Sequence, residues 1–319
     1  MNTFPGNVVL IGIGLLGGSI AMAIRRYTPE TSVRALKYRP ETGFTTVDLK
    51  TVYPDAFDEP DCPFGCPSGG ENEKTSGCEN VDAPADLLRH ADLIVVCTPV
   101  QTIATIVRCA AQYATEKTLI TDVGSTKREI VMTLETAGPL PNGVRYLGSH
   151  PIAGSDRSGP MAADPDLLKG KVVAVTPTER SLAGDLRNLQ RFWESLGAVC
   201  ETLTPVTHDR ILARTSHLPH FVAAILALCI SEKDKPFLGT GFRDTTRIAA
   251  GLASLWVPIF RSNREPLLDA VTELQVKLTL FREAIEADDE ERMNTFLTTA
   301  EKIRCSIDGT GRKTDGSSG

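Results

Sequence analysis

"NVVLIGIGLLGGSIAMAI", residues 7–24, is the stretch on which the fold turns. Its opening, "NVVLIGI", carries no charge and is rich in branched side chains, the pattern of a strand buried on both faces. The segment that follows, "LLGGSIAMAIRRY", is helix-like. Between them the chain spells G-x-G-x-x-G with Gly12, Gly14 and Gly17. Alone that spacing is weak, but between a strand and a helix it has a mechanical meaning. Gly12 permits a tight turn, Gly14 leaves the backbone open to a pyrophosphate, and Gly17 lets helix and strand pack closely. Leu15 opens a helix whose unpaired N–H groups and positive dipole end suit phosphate. The competing explanation is a glycine-rich turn that holds nothing.

Working outward, a second strand, "SVRALKY", ends about 20 residues past Gly17, where such units offer Asp or Glu to the ribose hydroxyls of NAD. This chain offers Lys37, Tyr38 and Arg39 instead. Two cations there favour the 2′-phosphate of NADP, with NAD as the alternative; side chains that simply face solvent are the plain reading. "ADLIVVCTPV" (91–100) is another apolar strand, ending in Thr98 and Pro99, and a helical segment follows it. "TLITDVGSTKREIVMTLE" (118–135) is a strand, a turn holding Gly124 and Ser125, and a helix. Strands alternating with helices indicate a doubly wound parallel sheet. Ligands on such sheets lie at the carboxyl ends of the strands. Thr98, Pro99, Gly124, Ser125 and His150 all fall there, so positions scattered in sequence converge on one crevice.

The expected fold class is therefore α/β: an N-terminal Rossmann-type doubly wound parallel sheet over residues 1–204, followed by an all-α domain over 205–305 and a disordered tail at 306–319. In the helical part Leu267, Val271, Leu274, Leu278, Phe281 and Ile285 recur at alternating steps of four and three. Such a seam packs against another helix, as core or as the interface of a homodimer. A polar insertion at about 59–82 carries Cys62, Cys66 and Cys78 without a nearby histidine. Three thiolates would need a fourth ligand to hold zinc; a surface insertion is the simpler expectation, and no metal is expected.

The totals narrow the classes further. A formal charge of -6 over 319 residues argues against a nucleic-acid groove, which needs a basic field. The uncharged run Val8–Ile24 is interrupted by glycines, is followed rather than preceded by Arg25 and Arg26, and falls short of the roughly 20 residues of a membrane span. A cytoplasmic protein without a membrane partner is expected.

With these residues in hand, the chain resembles the prephenate and arogenate dehydrogenase family of tyrosine biosynthesis. The resemblance runs from about residue 7 to 303, through "VVLIGIGLLGGSIAMAI", "DLIVVCTPV", "ITDVGSTK", "GSHPIAGSDRSG", "SHLPH" and "GFRDTTRIA" in the family's order, interrupted by the cysteine-bearing insertion. It implies oxidative decarboxylation of prephenate to 4-hydroxyphenylpyruvate with hydride transfer to NAD(P)+. The alternative within the family is arogenate, giving tyrosine.

The same resemblance implies roles. His150, in "GSHPIAG", would accept the proton of the ring hydroxyl, a task suited to an imidazole that is mostly neutral near pH 7. Pro151 pushes it toward an extended backbone. Ser125 would lie near the hydroxyl and the nicotinamide, although Thr126 to Glu129 also has the form of a capping box that merely starts a helix. Arg247, in "FRDTTRIA", would grip the ring carboxylate with its planar fork. His217, in "SHLPH", would face the substrate's side chain, with His220 on the same helical face, and Ser155 and Asp156 would line the mouth. Trp256 would stand near the site or serve as core. Rival readings are a β-hydroxyacid or imine dehydrogenase, and a non-catalytic NADP-binding protein.

Overall fold

The computed structural model describes residues 5–57, 83–153 and 159–307. The insertion with Cys62, Cys66 and Cys78, the mouth residues Ser155 and Asp156, and residues 308–319 lie outside the described residues. By compactness the chain divides into residues 1–264 and 265–319.

The first unit is built on β1 (Asn7–Ile11), which pairs in parallel with β2 (Ser32–Arg39) on one side and β4 (Leu93–Val96) on the other. Helix α1 (Leu15–Tyr27) is the crossover from β1 to β2, and the short helices α2 (Leu49–Val52), α3 (Pro54–Phe57) and α4 (Pro84–Arg89) precede β4 in the chain. β5 (Leu119–Asp122) and the two-residue β6 (Arg145–Tyr146) extend the parallel array, with α5 (Val100–Ala111) and α6 (Arg128–Thr136) as its later crossovers. With β3 (Gly43–Val47) at one edge, the order β3-β2-β1-β4-β5-β6 reverses direction between β1 and β4, and that switch opens a crevice at their carboxyl ends.

Side-chain alternation explains the uncharged strands. Val8 and Leu10 enter one core with Ile20, Ile24, Phe192 and Trp193, while Val9 and Ile11 enter a second with Ile94, Ile103 and Val107. Both faces are covered, so neither register of the strand tolerates a polar residue. Each such Leu or Ile, fully withdrawn from water, contributes roughly 1.5–3 kcal/mol.

Two features depart from a single parallel sheet. β3 (Gly43–Val47) folds back antiparallel on β2, because Pro40–Thr42 is too short for a crossover and Gly43 supplies a left-handed turn residue (φ 72°). The chain also leaves the first sheet after Tyr146. β7 (Gly148–Pro151) pairs antiparallel with β8 (Val172–Thr176), and β8 pairs in parallel with β9 (Val199–Thr202) through helix α7 (Ala183–Ser195). His150 thus sits inside a strand rather than beyond one.

After Thr202 the described chain is helical. Thr204 caps α8 (Pro205–Leu212), its Oγ1 accepting the Thr207 amide at 3.1 Å, with Pro205 pre-set at the first helical position. Then come a π-turn (Ala213–His217), α9 (Leu218–Leu228), α10 (Thr240–Thr246), a 3₁₀ turn (Arg247–Ala250) and α11 (Ala253–Ser262). α12 (Arg264–Glu286), in the second unit from its second residue on, and α13 (Glu290–Ile307) form a hairpin, with the Phe281 and Phe296 rings edge to face at 5.3 Å.

Candidate active site

At the switch point the glycines do what their positions demand. Gly12 has φ 102°, and a Cβ on it would stand 2.7 Å from the Cys97 carbonyl at the end of β4. A Cβ on Gly17 would reach to 2.0 Å from the Gly12 carbonyl, so helix and turn can meet only without one. Gly14 differs: a Cβ there meets nothing within 4 Å. It is the N-cap of α1, without a side-chain cap and without an acidic residue in the first turn. An open backbone cradle beneath uncompensated helix amides fits the pyrophosphate of a dinucleotide. Leu15 is half-buried at the head of the helix.

The Leu36 carbonyl accepts the Gly12 amide at 2.8 Å, which sets Lys37 immediately beside the cradle. Lys37 and Arg39 alternate with Tyr38 along β2 and are both exposed, while Tyr38 packs on Phe44. Across the crevice Thr98 Oγ1 accepts the Thr102 hydroxyl at 3.0 Å, and Pro99 is the N-cap of α5.

The end of β5 carries a buried polar centre. Lys127 and Asp122 form an ion pair in which both side chains are 0% exposed. Asp122 also accepts the Gly124 amide at 2.9 Å, the Tyr146 hydroxyl at 2.7 Å and the Ser149 amide at 3.4 Å. Burial pulls the Lys127 ammonium below its ordinary range, against the opposing pull of Asp122. Gly124 is sealed in: a Cβ there would meet Ile103 at 2.6 Å. Ser125, the next residue, is half-buried.

His150 adjoins this centre through Ser149, whose hydroxyl donates to the Asp122 carbonyl at 2.7 Å. The imidazole is 7% exposed, and its Nδ1 lies 2.9 Å from Nε2 of His208 on α8. His208 Nδ1 in turn lies 2.7 Å from Asp209 Oδ1. Desolvation first, then His208, Lys127 and His217, hold His150 well below the ordinary histidine range, so it is neutral near pH 7 and able to accept a proton. Asp209 does more than face His208. It accepts the Lys127 and Arg128 amides at 2.8 and 2.9 Å, capping α6 from more than eighty residues away. That replaces the capping box expected of Thr126 and Glu129, since the Thr126 hydroxyl is bonded to Ser262 instead.

His217 closes the π-turn, a helix irregularity that accompanies the missing N–H of Pro219 and recurs at functional sites. Its Nδ1 accepts from Asn263 Nδ2 at 3.0 Å, and the same amide group donates to the Asp209 carbonyl at 2.7 Å. The remaining nitrogen, Nε2, is buried and has no partner among the described residues. With Nδ1 accepting, Nε2 carries the proton, so a ligand would meet a donor there. Burial lowers His217 to about 4. His220 lies flat on Trp256, centroids 3.7 Å apart.

Arg247 heads the 3₁₀ turn that packs on α9, with its residue exposed; Gly251, at the end of that turn, fits so tightly that a Cβ would meet Trp256 and His220 at under 3 Å. The fold therefore joins His150 and His217 through His208, Asp209 and Asn263, and places Arg247 at the head of the turn whose following residue, Gly251, abuts His220 and Trp256. The sequence reading missed His208, Asp209, Asn263 and the Lys127–Asp122 pair. The adjacent His208-Asp209 following the cap signal Thr204-Pro205 was the available clue.

Known proteins resemble this chain over both of its regions. The sequence model for the prephenate dehydrogenase nucleotide-binding domain matches residues 70–202, and that for the prephenate dehydrogenase dimerization domain matches 204–299. Prephenate dehydrogenase of Bacillus subtilis is 27% identical over 311 residues, covering 95% of this chain and 76% of its own. Cyclohexadienyl dehydrogenase of Zymomonas mobilis is 28% identical over 308 residues, covering 94% and 96%. The structure of Aquifex aeolicus prephenate dehydrogenase with hydroxyphenyl propionate and NAD+ superposes with a TM-score of 0.77 at 29% identity, covering 94% of this chain and 98% of that one. From its two domains, its cradle for a nicotinamide dinucleotide and these relatives, the chain belongs to the prephenate dehydrogenase family of oxidoreductases.

Proposed function

We propose that this protein catalyses the oxidative decarboxylation of prephenate to 4-hydroxyphenylpyruvate and carbon dioxide, with NADP+ as the preferred oxidant. The observation that carries the reading is a buried, neutral His150 beside the carboxyl edge of the sheet that forms the dinucleotide cradle. The bound nicotinamide would accept a hydride from the carbinol carbon of the ring.

The chain's own groups do the rest. His150 Nε2 takes the hydroxyl proton as the carbinol becomes a carbonyl, and loss of carbon dioxide then renders the ring aromatic, which makes the sequence irreversible. Arg247 supplies a planar donor fork for the ring carboxylate. The buried Nε2–H of His217 offers a neutral donor to the substrate's side chain. A neutral N–H suits the keto oxygen of prephenate better than the ammonium group of arogenate, which favours prephenate. Lys37 beside the glycine turn, with Arg39 on the same side of β2, favours the 2′-phosphate of NADP. Ser125 is assigned to the hydroxyl end of the ring.

The helical region also exposes apolar side chains: Ile225 and Leu228 on α9, and Val276, Leu278 and Ile285 on α12. Surfaces of this kind mark subunit contacts, and a homodimer through the 204–299 segment follows. Incubating the protein with prephenate and with arogenate, each with NADP+ and with NAD+, and following absorbance at 340 nm tests the assignment. Fastest turnover is expected for prephenate with NADP+. No reduction with either substrate would overturn it.

A further inference from the structure

A general base is only as good as its tautomer, and the hydrogen bonds here determine it. Asp209 is the fixed end of the chain: its carboxylate receives two backbone amides, Lys127 at 2.8 Å and Arg128 at 2.9 Å, so it is anchored as an acceptor. An ionised carboxylate has no proton to give, so His208 Nδ1, 2.7 Å away, must be the donor. With its one proton on Nδ1, His208 presents a bare Nε2 to His150 Nδ1 at 2.9 Å, and that arrangement puts the His150 proton on Nδ1. By elimination the lone pair of His150 is on Nε2.

We propose that His208 and Asp209 are positioning residues for the oxidation: they lock His150 into its Nδ1–H tautomer, aim its Nε2 lone pair at the substrate hydroxyl, and stabilise the imidazolium formed there. This rests on the reading of His150 as the proton acceptor. In the step itself the hydroxyl O–H bond breaks and an Nε2–H bond forms on His150. The Nδ1–H stays in place and tightens against His208, while Asp209 remains ionised. The geometry is that of a base held by an orienting partner. It solves a particular problem of this pocket, since a buried imidazole beside the Lys127 ammonium resists becoming positive. A neutral imidazole backed by an anchored carboxylate offsets part of that cost without exposing the base to water.

The same carboxylate has a second duty. By capping α6 it ties the position of the base to the helix that carries Lys127 at its head. Asp209 variants would therefore mix catalysis with stability, and His208 is the residue to test. In His208→Gln the side-chain oxygen can still accept from His150 Nδ1 and the NH2 group can donate toward Asp209, but without the fixed geometry of the imidazole ring. In His208→Leu neither bond survives.

The first arm of the test needs no substrate. Nitrogen-15 spectra of histidine-labelled protein, assigned with His150→Asn and His208→Gln, report which nitrogen of each imidazole is protonated. His150 and His208 are expected as Nδ1–H tautomers in the wild type, and His150 is expected to lose that preference in His208→Leu. The second arm is kinetic. His208→Gln should lower kcat by about 10-fold and His208→Leu by about 100-fold, with KM and cofactor affinity held within threefold in both. An Nε2–H tautomer for His150 in the wild type, or a His208→Leu enzyme with unaltered kcat, would overturn the proposal. If the wild type oxidises no cyclohexadienol, the functional reading fails, and the tautomer spectra still decide the orienting chain by themselves.

Discussion

Lys127→Met is the most informative perturbation of the polar centre. The substitution preserves most of the side-chain volume while removing the ammonium, leaving Asp122 fully buried without its cation. Removing one partner of a buried ion pair costs about 3–5 kcal/mol, because the other charge is left uncompensated. Asp122 would keep three donors, the Gly124 amide, the Tyr146 hydroxyl and the Ser149 amide, which places the expected loss near the lower end, about 3 kcal/mol. That is roughly a hundredfold change in the folding equilibrium. Urea unfolding followed by tryptophan fluorescence should show the midpoint move with little change in slope, since Trp193 and Trp256 both lie in the first unit. Adding Asp122→Asn removes the stranded charge, so the double variant should recover at least half of the loss. A single variant within 1 kcal/mol of wild type, or a double variant no better than the single, would refute the view that the pair is held by mutual compensation.

Other consequences follow from the same geometry. Gly14→Ala should leave the thermal midpoint unchanged, because a Cβ there meets open space, and should weaken dinucleotide binding at least 10-fold by calorimetry. Acid should destabilise the fold through His217. Its folded value of about 4 lies below the unfolded value of about 6.5, so the native state binds fewer protons in that interval. Stability is then lost as pH falls from about 6.5 through 4, by about 3 kcal/mol from this group, and His217→Gln should flatten that slope in denaturation curves taken across the range. Arg247→Ala should act mainly through KM, raising it 10-fold or more; normal substrate binding by that variant would remove the carboxylate clamp from the account.

Much of the framework was legible because it depends on local pattern. Gly12, Gly14 and Gly17 announce the cradle, and the charge-free strands announce a sheet covered on both faces. β3 escaped notice since "GFTTV" is short, exposed and paired only through a hairpin. The split between the two sheets was equally hidden, because Leu147 alone separates β6 from β7. The site was half legible. His150, His217 and Arg247 sit in recognisable segments, but the groups that govern His150 come from elsewhere in the chain. Asp209 caps a helix that starts at Arg128, and Asn263 bridges α8 to the π-turn. The Thr126–Glu129 pattern looked self-sufficient as a cap, and only tertiary structure shows that a distant carboxylate takes that place. Lys127, inside the quoted "GSTK", was passed over because a lysine before a helix is ordinarily solvated, whereas this one is completely enclosed.

The central claim is that His150 is the proton acceptor of a nicotinamide-dependent oxidation, and His150→Asn tests it most directly. Steady-state turnover of prephenate and dinucleotide affinity should be measured on the same preparation. The account predicts kcat lower by about 10² to 10⁴ with cofactor binding intact; turnover within threefold of wild type would contradict it.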